Sequence, residues 1–146
     1  MQVRNHTSKK QNEHDVYVVN RYFELLHRKD FEQWQDLWND LGRMVFFYPP
    51  DGFPAILEGK AAIRAAVEAI FESFVSYTYD ITALYPSPES GAVCVEYKVR
   101  ATLTSNAEYC GSNILVFHFQ EGLITSLHMY ADPRAFQVIV DTRPKA

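Results

Sequence analysis

The chain is short of the features that announce chemistry. It has 2 cysteines, Cys94 and Cys110, and they lack metal-ligand spacing. Reduced structural thiols are the expectation. No Gly-rich phosphate loop, His/Cys metal set or Ser-His-Asp arrangement stands out, so neither metal nor cofactor is expected. No apolar run approaches the ~20 residues that span a bilayer. Residues 1–14 lack the apolar centre of a signal peptide. A cytoplasmic protein without a membrane partner is therefore expected. Positive charge is not concentrated: the net charge is −4, with both signs spread along the chain, which argues against nucleic acid as a partner. The single basic cluster, Arg4 to Lys10, sits in a polar stretch read as a flexible tail over residues 1–14. A single domain over 15–146 is expected to follow, and no repeat or low-complexity segment interrupts it.

What the chain does have is apolar and aromatic mass, at 47% and 14% of residues, enough for a core without staples. Asp15 is placed to cap a helix reaching about Arg28, with Val16, Val19, Phe23 and Leu26 on one stripe. Asp30 and Gln33 resemble a capping box, and Phe31, Trp34, Trp38 and Leu41 recur at helical spacing until Gly42. Short strands are expected at Met44–Tyr48 and Phe53–Leu57. A third helix follows Gly59, carrying Ile63, Val67, Ile70 and Phe74 on one face.

From Ser76 the period changes to two. Tyr77, Tyr79, Ile81, Ala83 and Tyr85 share one face, and after a Pro- and Ser-rich loop Val93 to Leu103 alternates more cleanly still. Strands over 108–120 and 123–131 complete a meander, and Asp132-Pro133 starts a short C-terminal helix. Helices grouped early and strands joined by short turns give an α+β fold with an antiparallel sheet covered on one face.

The element order, together with Tyr22-Phe23-Glu24-Leu25, Leu57-Glu58-Gly59-Lys60-Ala61-Ala62-Ile63, Val95-Glu96-Tyr97-Lys98 and Phe117-His118-Phe119, resembles the nuclear transport factor 2-like, ketosteroid-isomerase-like superfamily. Its SnoaL-like and phenazine-biosynthesis A/B-type branches are the nearer ones. The resemblance spans about residues 15 to 136. It implies a sheet curved into a cone, three N-terminal helices and a short C-terminal helix packing it, a pocket at the open end, and a homodimer through the sheet. Members include isomerases, cyclases, epoxide hydrolases and proteins without catalysis, so fold does not decide function.

Register decides which side chains share that pocket. A two-residue Glu121-Gly122 turn would need positive φ at Glu121, so a three-residue loop over 120–122 is expected, pairing Leu115 with Leu127 and Asn113 with Met129. A Ser105-Asn106-Ala107 turn would pair Leu115 with Tyr97 and Asn113 with Val99. The pocket face then reads Tyr97, Val99, Asn113, Leu115, Phe117, Leu127 and Met129. A one-residue slip would replace Met129 by His128 and Tyr130. Tyr48, Trp34, Trp38 and Tyr22 could add aromatic walls.

The resemblance implies that the first residue of Met129-Tyr130-Ala131-Asp132 is often a carboxylic acid serving as acid or base. Here it is methionine, which can do neither. No catalytic residue is therefore assigned. Tyr97 and Asn113 remain to orient a carbonyl or hydroxyl. His118 and His128 are expected on the outer sheet surface. Asp51 has turn chemistry with Gly52, Asp80 lies on a polar strand face and Asp132 reads as a helix cap. The expected function is binding of a small, mostly apolar, oxygen-bearing molecule, with weak or no acid–base catalysis. A SnoaL-like isomerase or cyclase and a non-catalytic dimerisation module are the rivals.

Overall fold

The structure, a computed structural model, describes residues 9–142. The helices are α1 (Lys9–His27), α2 (Phe31–Gln35), α3 (Lys60–Glu72) and α4 (Pro133–Thr142). The strands are β1 (Trp38–Phe46), β2 (Ile56–Glu58), β3 (Phe74–Pro86), β4 (Val93–Leu103), β5 (Glu108–Gln120) and β6 (Leu123–Tyr130). The strands form one curved, unclosed sheet in the order β2-β1-β6-β5-β4-β3. All neighbours are antiparallel except β1 and β6, which run parallel. This is the expected α+β cone with one parallel pair added to it.

Helix α1 begins earlier than expected, at Lys9, and Asp15 is not its cap. Asp15 lies inside the helix and is buried, which pushes its carboxyl above the usual range while neighbouring His14 partly opposes the rise. Residues 1–8 of the expected tail lie outside the described residues. Helix α2 has the expected cap: the Gln33 backbone N–H donates to Asp30 Oδ1 at 3.1 Å, and Gln33 Nε2 donates to Asp30 Oδ2 at 2.7 Å. It stops six residues early, at Gln35 instead of at Leu41.

The reason is competition for the backbone. Leu37 C=O accepts from Ile124 N–H at 2.9 Å, which draws the chain into the sheet and makes Trp38 the first residue of β1. Trp38 still packs on Trp34, ring centroids 5.7 Å apart. Gly42 permits this, because a Cβ there would lie 2.8 Å from the Trp38 ring. The second expected strand also shifts, to Ile56–Glu58, leaving Phe53 buried in the loop ahead of it.

The long strands follow the period-two reading, most cleanly in β4, where Val93, Val95, Tyr97, Val99, Ala101 and Leu103 are buried. Strand β3 departs from it. Ile81 pairs with Tyr97 but Ala83 with Glu96, so Thr82 is an extra residue and the faces swap. Tyr85 consequently points outward, its hydroxyl donating to Glu96 Oε2 at 2.8 Å, and does not join Tyr77 and Tyr79.

Both expected hairpin registers are off by two residues. The β4–β5 loop is Thr104-Ser105-Asn106, with Asn106 at φ 71° and Leu103 N–H donating to Ala107 C=O at 2.9 Å. Tyr97 therefore pairs with Asn113 and Val95 with Leu115. Between β5 and β6 the chain makes the two-residue turn set aside above, with Glu121 at φ 52° and Gly122 at φ 79°. Thr125 then bulges out of β6, and Leu115 meets Met129 while Phe117 meets Leu127. A shift of two preserves the faces, so Leu127 and Met129 still point inward.

Left-handed backbone at Glu121 costs on the order of 1 kcal/mol. The turn's match to strand twist and the docking of α1 on it offset that cost: His14 Nε2 lies 3.3 Å from Gly122 O. Glu121→Asn is expected to raise stability by ~0.5–1 kcal/mol, since Asn-Gly suits this turn best. An unchanged or lower midpoint in urea would count against the turn assignment.

Candidate functional site

The core between helices and sheet leaves a cavity of about 70 Å³. Strands contribute Met44 and Phe46 from β1, Tyr77 from β3, Tyr97 and Val99 from β4, Tyr109, Asn113 and Leu115 from β5, and Met129 from β6. Helix α1 adds Tyr22, Phe23 and Leu26, α3 adds Val67, Ile70 and Phe71, and α4 adds Phe136 and Ile139. Their packing is edge-to-face in large part: Tyr22 against Phe117 at 5.1 Å and Phe23 against Tyr97 at 4.9 Å.

One polar arrangement interrupts this apolar wall. Asn113 is 3% exposed. Its Nδ2 donates to Tyr97 Oη at 3.3 Å and to Tyr109 Oη at 3.0 Å. The strand pairing causes it: Tyr97 stands opposite Asn113 across β4 and β5, and Tyr109 precedes Asn113 by four residues on the same face of β5. Gly111, between them, keeps the face open, because a Cβ there would lie 3.0 Å from Asn113 Oδ1.

Burial raises the Tyr97 phenol well above its ordinary value, with Tyr109, Tyr77 and Tyr22 adding to the rise and Asn113 opposing it. Burial likewise raises Tyr109, Tyr22 and Tyr77. All four phenols are neutral in the physiological range, and among the described residues the lining holds no carboxylate, imidazole, lysine or arginine. The Asn113 amide and the phenol hydroxyls beside it can orient a neutral polar group by hydrogen bonding.

Of the residues expected at the site, Tyr97, Asn113, Met129, Leu115 and Tyr22 border the cavity. Phe117 and Leu127 are fully buried in the core beside it, and so are Trp34 and Trp38. None of these four borders the cavity. Among the described residues the Trp34 and Trp38 indole N–H groups have no hydrogen-bond partner. Tyr48 is 60% exposed and lies near Tyr130, ring centroids 6.5 Å apart, away from the interior.

Tyr109, Tyr77 and α4 were missed. Tyr109 could have been found from its spacing of four from Asn113 on one strand face. The contribution of α4 had no signal in the strand pattern.

The outer face carries the two histidines as expected. Their rings are 4.8 Å apart, and Phe47 stacks on Tyr130 at 4.8 Å beside them. Cys94 and Cys110 are free and lie opposite Val116 and Arg100, not each other. Among the described residues no helix is long and apolar enough to cross a membrane, and no group of three or more His, Cys, Asp or Glu could hold a metal.

The SnoaL-like domain family matches residues 19–127. The chain belongs to this family. A curated relative, the uncharacterized protein YesE of Bacillus subtilis (strain 168), is 25% identical over 117 residues, covering 80% of each chain. A "Putative Isomerase" from Bacillus subtilis superposes with TM-score 0.82 at 22% identity, over 90% of this SnoaL-like chain and 96% of that one. RV0760c from Mycobacterium tuberculosis, in complex with estradiol-17beta-hemisuccinate, gives TM-score 0.72 at 16% identity, over 84% and 96% of the two chains. At these identities the two structures establish the shared fold. Within that fold, Met129 stands half-buried at the cavity edge, paired with Phe46 and Leu115.

Proposed function

We propose that this SnoaL-like protein binds a small, mostly apolar, uncharged molecule bearing one or two oxygens, with weak or no acid–base catalysis. The observation that carries the reading is the Tyr97–Asn113–Tyr109 hydrogen-bonded set inside an otherwise apolar cavity. Sparse polar groups among apolar walls fix a ligand's orientation. Among the described residues the lining offers no carboxylate, imidazole or amine and only phenols of raised pKa, so little of the ~10²- to 10⁴-fold that general acid–base catalysis contributes is expected. That RV0760c was crystallised with estradiol-17beta-hemisuccinate supports the apolar ring part of this reading, although that ligand also carries a carboxylate. The likeness to a "Putative Isomerase" favours the second reading, an isomerase or cyclase. That reading needs a carboxylate brought to the cavity from outside its present lining.

The partner proposed for the outer sheet face is a second copy of the chain. Phe47 is 47% exposed there and Ile114 37%, with His118, His128 and Tyr130 between them. A cytoplasmic location belongs to the same reading.

Joint replacement Tyr97→Phe and Asn113→Leu is expected to weaken binding of a neutral ring ligand by ~10- to 100-fold, the worth of one or two buried hydrogen bonds. Titration calorimetry of both proteins against one ligand decides it, and unchanged affinity sinks the assignment. A turnover abolished by a single acid-to-amide change would favour the isomerase or cyclase instead.

A further inference from the structure

A cavity of about 70 Å³ is smaller than the ~300–1,000 Å³ that ligand pockets enclose, so the proposed ligand requires one wall to move. The walls differ in how they are held. Strands β4, β5 and β6 are each hydrogen-bonded to a neighbouring strand on both sides. Helix α1 buries seven side chains, among them Phe23, wedged between Tyr79 and Tyr97. Helix α3 is held by Phe71, which packs on Phe31, Phe74 and Tyr77, and by Arg64, which bridges to Glu32 of α2.

Helix α4 is held otherwise. It fully buries two side chains, Phe136 and Ile139, which both face the cavity, while Ala135, Val138 and Val140 pack partly buried against the core. Two exposed polar clasps add to these ties. Gln137 Oε1 accepts from the Asp51 backbone N–H at 3.0 Å, and Gln137 Nε2 donates to Asp51 C=O at 3.3 Å. Near the other end Thr142 Oγ1 and Ser105 Oγ are 3.0 Å apart. The helix is internally sound, since Asp132 Oδ1 accepts from Arg134 N–H at 2.9 Å. Residues 131–132, outside any helix or strand, join it to β6. A self-capped helix on a two-residue joint, with few buried side chains and solvent-exposed bonds to the body, has the makings of a unit that opens below the global transition.

We infer that α4 is a lid: it swings out about residues 131–132 when the Gln137–Asp51 and Thr142–Ser105 clasps release, and the ligand reaches the cavity beneath Phe136 and Ile139. This inference rests on the ligand-binding reading above for its purpose but not for its motion. Opening removes the wall opposite Tyr109 and Phe46, whose rings now lie 6.1 and 6.0 Å from Phe136. The cavity then admits a ring-sized molecule to the Asn113 set without breaking a strand ladder.

The test joins the distal clasp covalently. Ser105→Cys with Thr142→Cys is made in a full-length chain carrying Cys94→Ser and Cys110→Ser, and compared oxidised and reduced. Hydrogen exchange reads the motion without any ligand. In the wild-type chain, α4 amides are expected to exchange at least ~10-fold faster than those of β5, and oxidation is expected to remove that difference. Exchange in α4 as slow as in β5 in the wild-type chain overturns the lid.

The association rate of N-phenyl-1-naphthylamine, a neutral fluorescent ring probe, reads access. Oxidation is expected to slow it ~10-fold or more, with recovery on reduction. Equal rates in the two forms overturn the lid while leaving the pocket standing. A probe that fails to bind even the reduced form counts against the pocket, and hydrogen exchange alone then decides the lid. Should the disulfide not form, Gln137→Ala releases the other clasp. It is expected to accelerate α4 exchange and probe association together by several-fold, and no change in either overturns the proposal.

Discussion

Truncating Trp34 to alanine is expected to cost about 3–5 kcal/mol of folding stability, whereas Trp34→Phe should cost under about half of that. Trp34 is completely buried and holds together three elements, with Tyr22 of α1 at 5.5 Å and Trp38 of β1 at 5.7 Å. Alanine would leave a void at this junction of α1, α2 and the sheet, and close-packed neighbours collapse into such voids only in part. Phenylalanine keeps most of the ring area and also removes an indole N–H that is buried without a partner. An unpaired buried donor is itself destabilising, by ~1–3 kcal/mol. Both variants remove that N–H, but the gain offsets much of the small volume lost in Trp34→Phe and little of the void left by Trp34→Ala. Urea denaturation at constant slope distinguishes them. Equal losses for the two variants would mean that Trp34 acts through its indole N–H and not through volume.

The fold was legible where one physical pattern acted alone. In β4 the alternation of Val93 to Leu103 answers to a single demand, one face buried and one not, and its bounds and faces match the sequence reading. It became illegible where two demands met. Trp34 and Trp38 are four apart, a spacing that reads as one helical face. Yet only Trp34 is helical, because a backbone hydrogen bond from Ile124, far along the chain, draws Leu37 and its successor into the sheet. The hairpin at Glu121 failed for a related reason. Local strain at a left-handed glutamate argues for a longer loop, but the native turn is chosen by the strands, by the Thr125 bulge and by the α1 contact at Gly122. Local cost was judged correctly and tertiary gain was out of view.

For the site, parity mattered more than pairing. The expected pairs were wrong by two residues in both hairpins, and yet Tyr97, Asn113, Leu115 and Met129 border the cavity, because a shift of two leaves every side chain on its face. Tyr22, expected as an aromatic wall, borders the cavity from α1, whereas Trp34 and Trp38 pack into the core beside it, since a helical stripe says which side faces inward but not whether a void or another ring lies there. Tyr48 lies off the cavity because β1 ends ahead of it, at Phe46, and its side chain lies beside Tyr130 on the outer face. No periodic signal could have announced α4 as a wall, because its position depends on how β6 leaves the sheet.

Acidification is expected to destabilise the outer sheet face and dissociate the proposed dimer. Burial and the nearby His128 hold His118 below its ordinary value of 6.5, and burial and Arg43 do the same for His128. A histidine whose folded value is depressed binds its proton more readily when unfolded. The stability owed to the neutral pair is therefore complete above about pH 6.5. It is lost as pH falls below that value and through the folded values. With ring centroids 4.8 Å apart, two imidazolium charges would repel by on the order of 1–3 kcal/mol after allowance for solvent screening. Arg43 on β1 adds a third positive charge, partly offset by its ion pair with Glu58 at 3.2 Å, while Phe47 and Tyr130, stacked beside the pair, carry no charge to set against it.

Sedimentation at about pH 7.5 and about pH 5 should show the dimer weakening ~10-fold or more, and joint His118→Gln and His128→Gln should flatten the response. If the wild-type chain is a dimer at both values with equal affinity, the histidines lie outside the contact. If it is a monomer at both, the second copy is not the partner of this face. A dimer that weakens in the wild-type chain but equally in the double glutamine variant would move the titrating groups to another surface.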